Sequence, residues 1–207
     1  MSSVSRAYLG MQCFWGESAF AKIRGVKGTR VGYAGGTTPA PTYRDIGDHT
    51  EITEVTFDPS LLSFASLLDF FWSHHNPTEP HKKQYKSAIL WTDEEQKKVA
   101  EESVEVQKKK HSRPLDTYVI KLDKFHQAED YHQKYWLRSQ TAIHKKLAIS
   151  DKDLPFSELA AKVNAFLAGY DDFAELDRLA KEHNLDETLV KVIREIAERG
   201  GDPRACH

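Results

Sequence analysis

A chain of 207 residues is long enough for one well-packed domain with room for an appendage. Its 29 Lys plus Arg are balanced by 31 Asp plus Glu, and no basic block exceeds Lys108-Lys109-Lys110, which argues against nucleic acid as a partner. No signal-type apolar run follows Met1 and no stretch is long enough to span a membrane. The two cysteines argue against a secreted disulfide scaffold and for a reducing, cytoplasmic setting.

In chain order, residues 7–11 read as a strand, 15–24 as a helix closed by Gly25, and 26–33 as a second strand. A Gly- and Pro-rich loop follows at 34–41, then a strand over 51–57 closed by Asp58-Pro59. Residues 63–74 carry a dense apolar face and predict a buried helix. A short strand falls at 87–91, and 93–110 predicts a charged helix with Asp93 as its N-cap. The pattern continues with a strand over 117–122 and a helix over 128–137. From about Asp151 the chain turns wholly helical, with segments at 156–167, 173–182 and 187–199 broken by Gly169, Asn184 and Gly200-Gly201. The expectation is an α/β fold (an α+β sandwich), a mixed β-sheet core flanked by helices. Residues 1–150 form the catalytic part, and 151–207 a helical C-terminal extension whose flexible tail carries the second cysteine.

Cys13-Phe14-Trp15-Gly16-Glu17 is the most informative stretch. It places a thiol at a strand-to-helix junction, where unpaired backbone N–H groups favour the thiolate, and two aromatics beside it can wall a pocket. The same surroundings also suit an inert core cysteine. Cys206, the penultimate residue, is either a bystander or a mobile thiol that resolves an oxidised Cys13. On the 51–57 strand, Glu51 shares a face with Thr53, Val55 and Phe57. Facing an apolar interior, it would stay protonated and could donate a proton; at a strand end it would simply be solvated. Tyr43 and Tyr85 are either packing residues or hydrogen-bond donors to a ligand oxygen. No two cysteines lie close together and no His spacing matches a zinc helix motif, so no metal is expected and the ten histidines are placed on surfaces and helix ends.

Taken together these motifs resemble the type A peptide methionine sulfoxide reductases. The resemblance is carried by residues 10–17, by Val31-Gly32-Tyr33-Ala34-Gly35-Gly36 leading to Pro41-Thr42-Tyr43, and by His49-Thr50-Glu51. It continues through Phe57-Asp58-Pro59, Gln84-Tyr85-Lys86-Ser87 and Ala128-Glu129-Asp130-Tyr131-His132-Gln133, in the family's order and over roughly residues 7 to 140. It implies thiol-dependent reduction of methionine-S-sulfoxide, free or in proteins, in protein repair and oxidative-stress defence. Cys13 would attack the sulfur, Glu51 protonate the oxygen with help from Tyr43 and Tyr85, and Phe14 and Trp15 hold the methyl group. Cys206 would condense with the Cys13 sulfenic acid, and thioredoxin or dithiothreitol would reduce the disulfide. The resemblance implies no cofactor and no metal; the expected partners are the substrates and thioredoxin, with no nucleic acid or membrane, and the expected state is a monomer.

The sequence departs from the family pattern at Gln12, where glycine is usual. It departs again in a shortened segment between Tyr43 and His49, and at Pro80, which stands where an aspartate is usual, with Glu79 as the nearest carboxylate. Two other readings remain open at this level: a thiol peroxidase or cysteine hydrolase pairing Cys13 with His49, and a non-catalytic redox sensor or binder of oxidised methionine.

Overall fold

A computed structural model describes residues 4–12 and 14–201; Cys13 and Cys206 lie outside the described residues. Strands β1 (Ser5–Gly10), β2 (Val26–Ala34), β3 (Thr50–Phe57), β4 (Ala88–Trp91), β5 (Tyr118–Lys121) and β6 (His126–Gln127) form one sheet. Their order is β5-β4-β1-β3-β2-β6. The β4–β5 pair is parallel and the other neighbours are antiparallel. The predicted mixed sheet flanked by helices is therefore the observed architecture.

Strand alternation divides the core. Ala7, Leu9, Val55, Phe57 and Ile89 pack with Phe20 and with Leu67, Leu68 and Phe71 of helix α2 (Phe64–Ser73). Tyr8, Ile52 and Leu90 belong to a second cluster, with Tyr118, Leu122 and Phe125 against it. Because β3 is central and covered on both faces, even its polar residues Thr53 and Glu54 are buried. Ser63 and Asp93 cap α2 and α3 (Glu94–Lys110) by accepting from the backbone N–H three residues on, which satisfies an end group that the helix itself leaves free.

The first helix, α1 (Gly16–Ala21), is shorter than its apolar periodicity predicts. Its last turn tightens, with Lys22 and Ile23 N–H groups bonding three residues back, and Gly25 at φ +93 then turns the chain into β2. The larger departure lies at 128–137, which predicts a continuous helix. The structure instead has a 3₁₀ turn at Asp130–His132, an extended Gln133 and a left-handed Lys134 at φ +53. Helix α4 (Tyr135–Ser139) starts only after these. The cause is tertiary. The Gln133 amide accepts from Val31 N (3.0 Å) and donates to Val31 O (2.8 Å) and Ala128 O (3.0 Å), so a side chain completes the edge of β2 and holds the backbone out of helix. Strand β6 and helix α5 (Thr141–Leu147) were not expected from the sequence.

Helices α6 (Glu158–Leu167), α7 (Phe173–Glu182) and α8 (Glu187–Glu198) follow, with Gly169, Asn184, Gly200 and Gly201 all at positive φ in the breaks between and after them. α6 is buried on nearly every side and packs on α1 and β2. Two lysines tie α6 to α1 in opposite directions. Lys162 Nζ donates to the carbonyls of Ala21 (2.9 Å) and Ile23 (3.0 Å), and Lys22 Nζ donates to Ala168 O (2.7 Å). Each helix thus receives at its C-terminal end, where carbonyls lack partners, a cation from the other. Burial lowers the Lys162 ammonium to about 8. Among the described residues, no helix is long and apolar enough to cross a membrane.

Candidate active site

Antiparallel pairing gathers one end of the sheet into a single place. The exit of β1 leads to Met11 and Gln12, the entry of β3 carries Glu51, and the turn before β4 carries Tyr85. A cavity of about 560 Å³ opens there. Phe14, Trp15, Tyr43, Glu51 and Tyr85, all singled out in the sequence, line it together. Gln12 and Phe14, the neighbours of Cys13 in the chain, line it as well.

Glu51 is only 3% exposed, on the β3 face shared with Val55 and Phe57 as the two-residue period requires. Burial raises its carboxyl to about 7, and the bond from Gln84 Nε2 to Oε1 (2.8 Å) opposes that rise without cancelling it. A carboxyl in this state is partly protonated near neutrality and can give up a proton to a bound oxygen. The phenol oxygens of Tyr43 and Tyr85 stand 3.5 Å apart, bringing residues 42 positions apart in sequence to one polar corner.

Tyr43 sits on a loop with no regular structure, and a carboxylate fixes it. Glu129 Oε1 accepts from Tyr43 N (2.9 Å) while its Oε2 accepts from Tyr33 OH (2.6 Å). Burial alone would raise Glu129, but these two bonds hold its carboxyl below the ordinary range, whereas burial drives the Tyr33 phenol far up. The Tyr43 ring packs on His132 at 4.6 Å, and His132 packs on Phe14 at 5.0 Å. At the base of the loop, Asp48 accepts from Thr37 N (2.8 Å) and Thr38 N (3.0 Å). His49 is buried, accepting from Gly36 N through Nδ1 (3.2 Å) and bonded through Nε2 to Thr38 O (2.8 Å). Both ring nitrogens are therefore occupied in holding the loop, which removes the geometric basis for His49 as a base. The sequence placed the histidines on surfaces and helix ends; His49 is an exception, whereas the half-buried His75 lies just past the end of α2, bonded to Phe71 O and Ser87 Oγ at 2.7 Å each.

The departures from the family pattern also resolve into geometry. Gln12 adopts φ +67, the left-handed conformation glycine takes freely, and its Nε2 donates to Asn76 O (3.0 Å), anchoring the strained turn. In the shortened loop before Tyr85, Glu79 points to solvent and is not part of the cavity, whereas His81 is. His81 N donates to Asp116 Oδ2 (3.3 Å), and Lys86 pairs with Asp116 at 2.8 Å, which fixes the loop to the start of β5.

Beneath the cavity lies an ion pair that the sequence did not announce. Glu17 and Lys134 are both withdrawn from water, with Nζ 2.6 Å from Glu17 Oε1 and Lys134 N donating to Oε2 (2.8 Å). Nζ also donates to Thr29 O. Tyr135, Trp136, His132 and Asn164 complete the wall. The sequence signals for this side were Glu17, at the end of the Cys13 motif, and the motif Ala128 to Gln133, with no role assigned to either. Among the described residues, no group of three or more His, Cys, Asp or Glu is placed to hold a metal.

The family model described as peptide methionine sulfoxide reductase matches residues 5–162. A peptide methionine sulfoxide reductase of Drosophila melanogaster is 44% identical over 186 residues, covering 88% of this chain and 76% of that protein. Peptide methionine sulfoxide reductase MsrA of Sulfolobus acidocaldarius is 36% identical, covering 70% of this chain and 89% of its own. Among solved structures, methionine sulfoxide reductase A of Corynebacterium diphtheriae superposes with a TM-score of 0.60 at 29% identity, over 68% of this chain and 77% of that one. Reduced Mxr1 of Saccharomyces cerevisiae has the same fold, with a TM-score of 0.59 over 66% of this chain and 86% of that one at 24% identity. An acid-bearing aromatic cavity built from the family's motifs, on the family's fold, makes this chain a member of the peptide methionine sulfoxide reductase family, enzymes that reduce methionine sulfoxide.

Proposed function

We propose that the chain reduces the S epimer of methionine sulfoxide, free or in proteins, through Cys13 and Glu51. The Cys13 thiolate attacks the sulfoxide sulfur while Glu51 delivers a proton to the oxygen, and Tyr43 and Tyr85 donate hydrogen bonds to the same oxygen. Phe14 and Trp15 hold the substrate methyl group. The sulfoxide oxygen ends on Cys13 as a sulfenic acid, and methionine leaves with its sulfur reduced by two electrons. Cys206 attacks the sulfenic sulfur, releasing water and forming a disulfide. A dithiol reductant of the thioredoxin class then returns both thiols by exchange, or dithiothreitol does so in vitro. Neither a metal nor an organic cofactor enters any of these steps.

The observation that carries the reading is Glu51: a buried carboxyl raised to about 7, in one cavity with both aromatics and both tyrosines. The hydrolase alternative loses support because both nitrogens of His49 are bonded to the loop backbone. Turnover of the separated S and R epimers with dithiothreitol, for the wild-type chain and Cys13→Ser, tests the reading. Activity on S alone, abolished by Cys13→Ser, is expected; turnover of R, or turnover without Cys13, overturns it.

A further inference from the structure

Asn164 is out of place for a residue of α6. It is 1% exposed, lies beyond the stretch matched by the family model, and nevertheless lines the active-site cavity. Its amide is oriented by one bond: Oδ1 accepts from Leu137 N (3.1 Å), a first-turn N–H of α4 that has no partner within its own helix. That bond fixes which end of the amide is which, and it leaves Nδ2 as a pure donor. Nδ2 is buried and has no hydrogen-bond partner. Buried donors are almost always satisfied, so a fixed, unsatisfied one in a ligand cavity points to an acceptor that arrives with the ligand.

The cavity lining falls into two groups. Phe14, Tyr43, Glu51 and Tyr85 surround the place assigned to the sulfoxide. Ser18, Tyr135, Trp136 and Asn164 come from α1, α4 and α6 and form a second wall. The charge near that second wall is already compensated, since Lys134 neutralises Glu17. A neutral amide donor in such surroundings suits a neutral carbonyl; a carboxylate would be desolvated there without a cation of its own.

We infer that Asn164 is a substrate-binding residue whose Nδ2–H donates to a main-chain carbonyl of a peptide carrying methionine sulfoxide, so that α6 biases the enzyme toward peptide-bound over free substrate. The inference rests on the sulfoxide-reduction reading of the same cavity. The acceptor is a carbonyl oxygen in a peptide and a carboxylate oxygen in the free amino acid, and the two substrates separate these sources.

Asn164→Asp retains an oxygen for Leu137 N and removes the donor. For N-acetyl-methionine-S-sulfoxide methylamide, its KM should rise about tenfold, the worth of one hydrogen bond, with kcat little changed; Tm should fall, because the new carboxyl is buried without a cation of its own. The KM for free methionine-S-sulfoxide should move much less. An unchanged KM for the blocked substrate, or equal rises for both substrates, overturns the inference. A readout independent of the variant's folding uses Cys13→Ser labelled with 15N at asparagine, of which the chain has only Asn76, Asn164 and Asn184. Titrating the blocked substrate should shift the Asn164 side-chain amide and leave Asn184 in place; no shift at saturation contradicts the proposal. Failure of the wild-type chain to reduce either substrate would instead refute the sulfoxide reading itself.

Discussion

Glu17 and Lys134, 117 positions apart in the chain, form an ion pair at 2.6 Å from which water is excluded. The pair joins α1 to the residue at the start of α4, between the 3₁₀ turn that carries His132 and the helix that carries Tyr135 and Trp136, so it fixes the separation of two cavity walls. Its strength is geometric: both carboxylate oxygens are used, and the ammonium has a second acceptor in Thr29 O. Removing one partner leaves the other charge buried and alone, which typically destabilises by about 3–5 kcal/mol. Glu17→Gln and Lys134→Met should each lower stability on that scale, and the double variant should lose clearly less than the sum. Denaturant midpoints for all four proteins give the coupling directly.

Glu51→Gln should make the protein more stable while making it a poorer enzyme. The folded-state value of about 7 lies above the ordinary 4.5, so between these pH values the folded chain binds more protons than the unfolded one. Stability from this group is therefore full below about pH 4.5 and declines as pH rises through 7, by at most roughly 3 kcal/mol for the whole shift. Glutamine removes the titration. The Tm difference between Glu51→Gln and wild type should grow from pH 5 to pH 8, and a difference that is flat with pH would refute burial as the cause.

Glu129→Gln should act through Tyr43. The change weakens the carboxylate bonds to Tyr43 N and Tyr33 OH, which are 2.9 and 2.6 Å long. Charge-assisted bonds of this kind are worth about 1.5–3 kcal/mol, so kcat/KM should fall by roughly ten- to a hundredfold. Steady-state kinetics that match wild type would show that Tyr43 needs no such anchor.

Much of this site was legible because it rests on local periodicity. The two-residue alternation of residues 51–57 put Glu51 on the apolar face, the apolar face of 63–74 announced α2, and Asp93 announced α3 by cap chemistry. The residues that escaped notice are fixed by partners far away in sequence. Gln133 bonds to Val31 across 102 positions, and that contact, rather than any propensity of 128–137, breaks the predicted helix. Lys134 looks like a solvated cation until Glu17 and Thr29 enclose it. Asn164 lies in a pattern that reads simply as amphipathic helix, and only the packing of α6 on α1 and α4 brings it to the cavity.

Gln12 should tolerate glycine. At φ +67 a non-glycine residue carries about 1–2 kcal/mol of backbone strain, which its exposed bond to Asn76 O partly offsets. Gln12→Gly should leave stability within about 1 kcal/mol of wild type, because relief of strain is balanced by the lost bond and by a more mobile unfolded chain. Gln12→Val, β-branched and without the amide, should destabilise by about 1–3 kcal/mol. Thermal melts of the three proteins distinguish a strained turn from an indifferent one.

The most direct test of the central claim is the single-turnover rate of methionine formation from methionine-S-sulfoxide, measured by rapid quench between pH 5 and pH 9 in wild type and Glu51→Gln. If Glu51 supplies the proton, the wild-type rate falls as pH rises past about 7, following the raised carboxyl. Glu51→Gln should then be slower by about 10²–10⁴-fold near neutrality and lack that decline. A variant that keeps the wild-type rate, or shows the same fall at the same pH, would contradict the account.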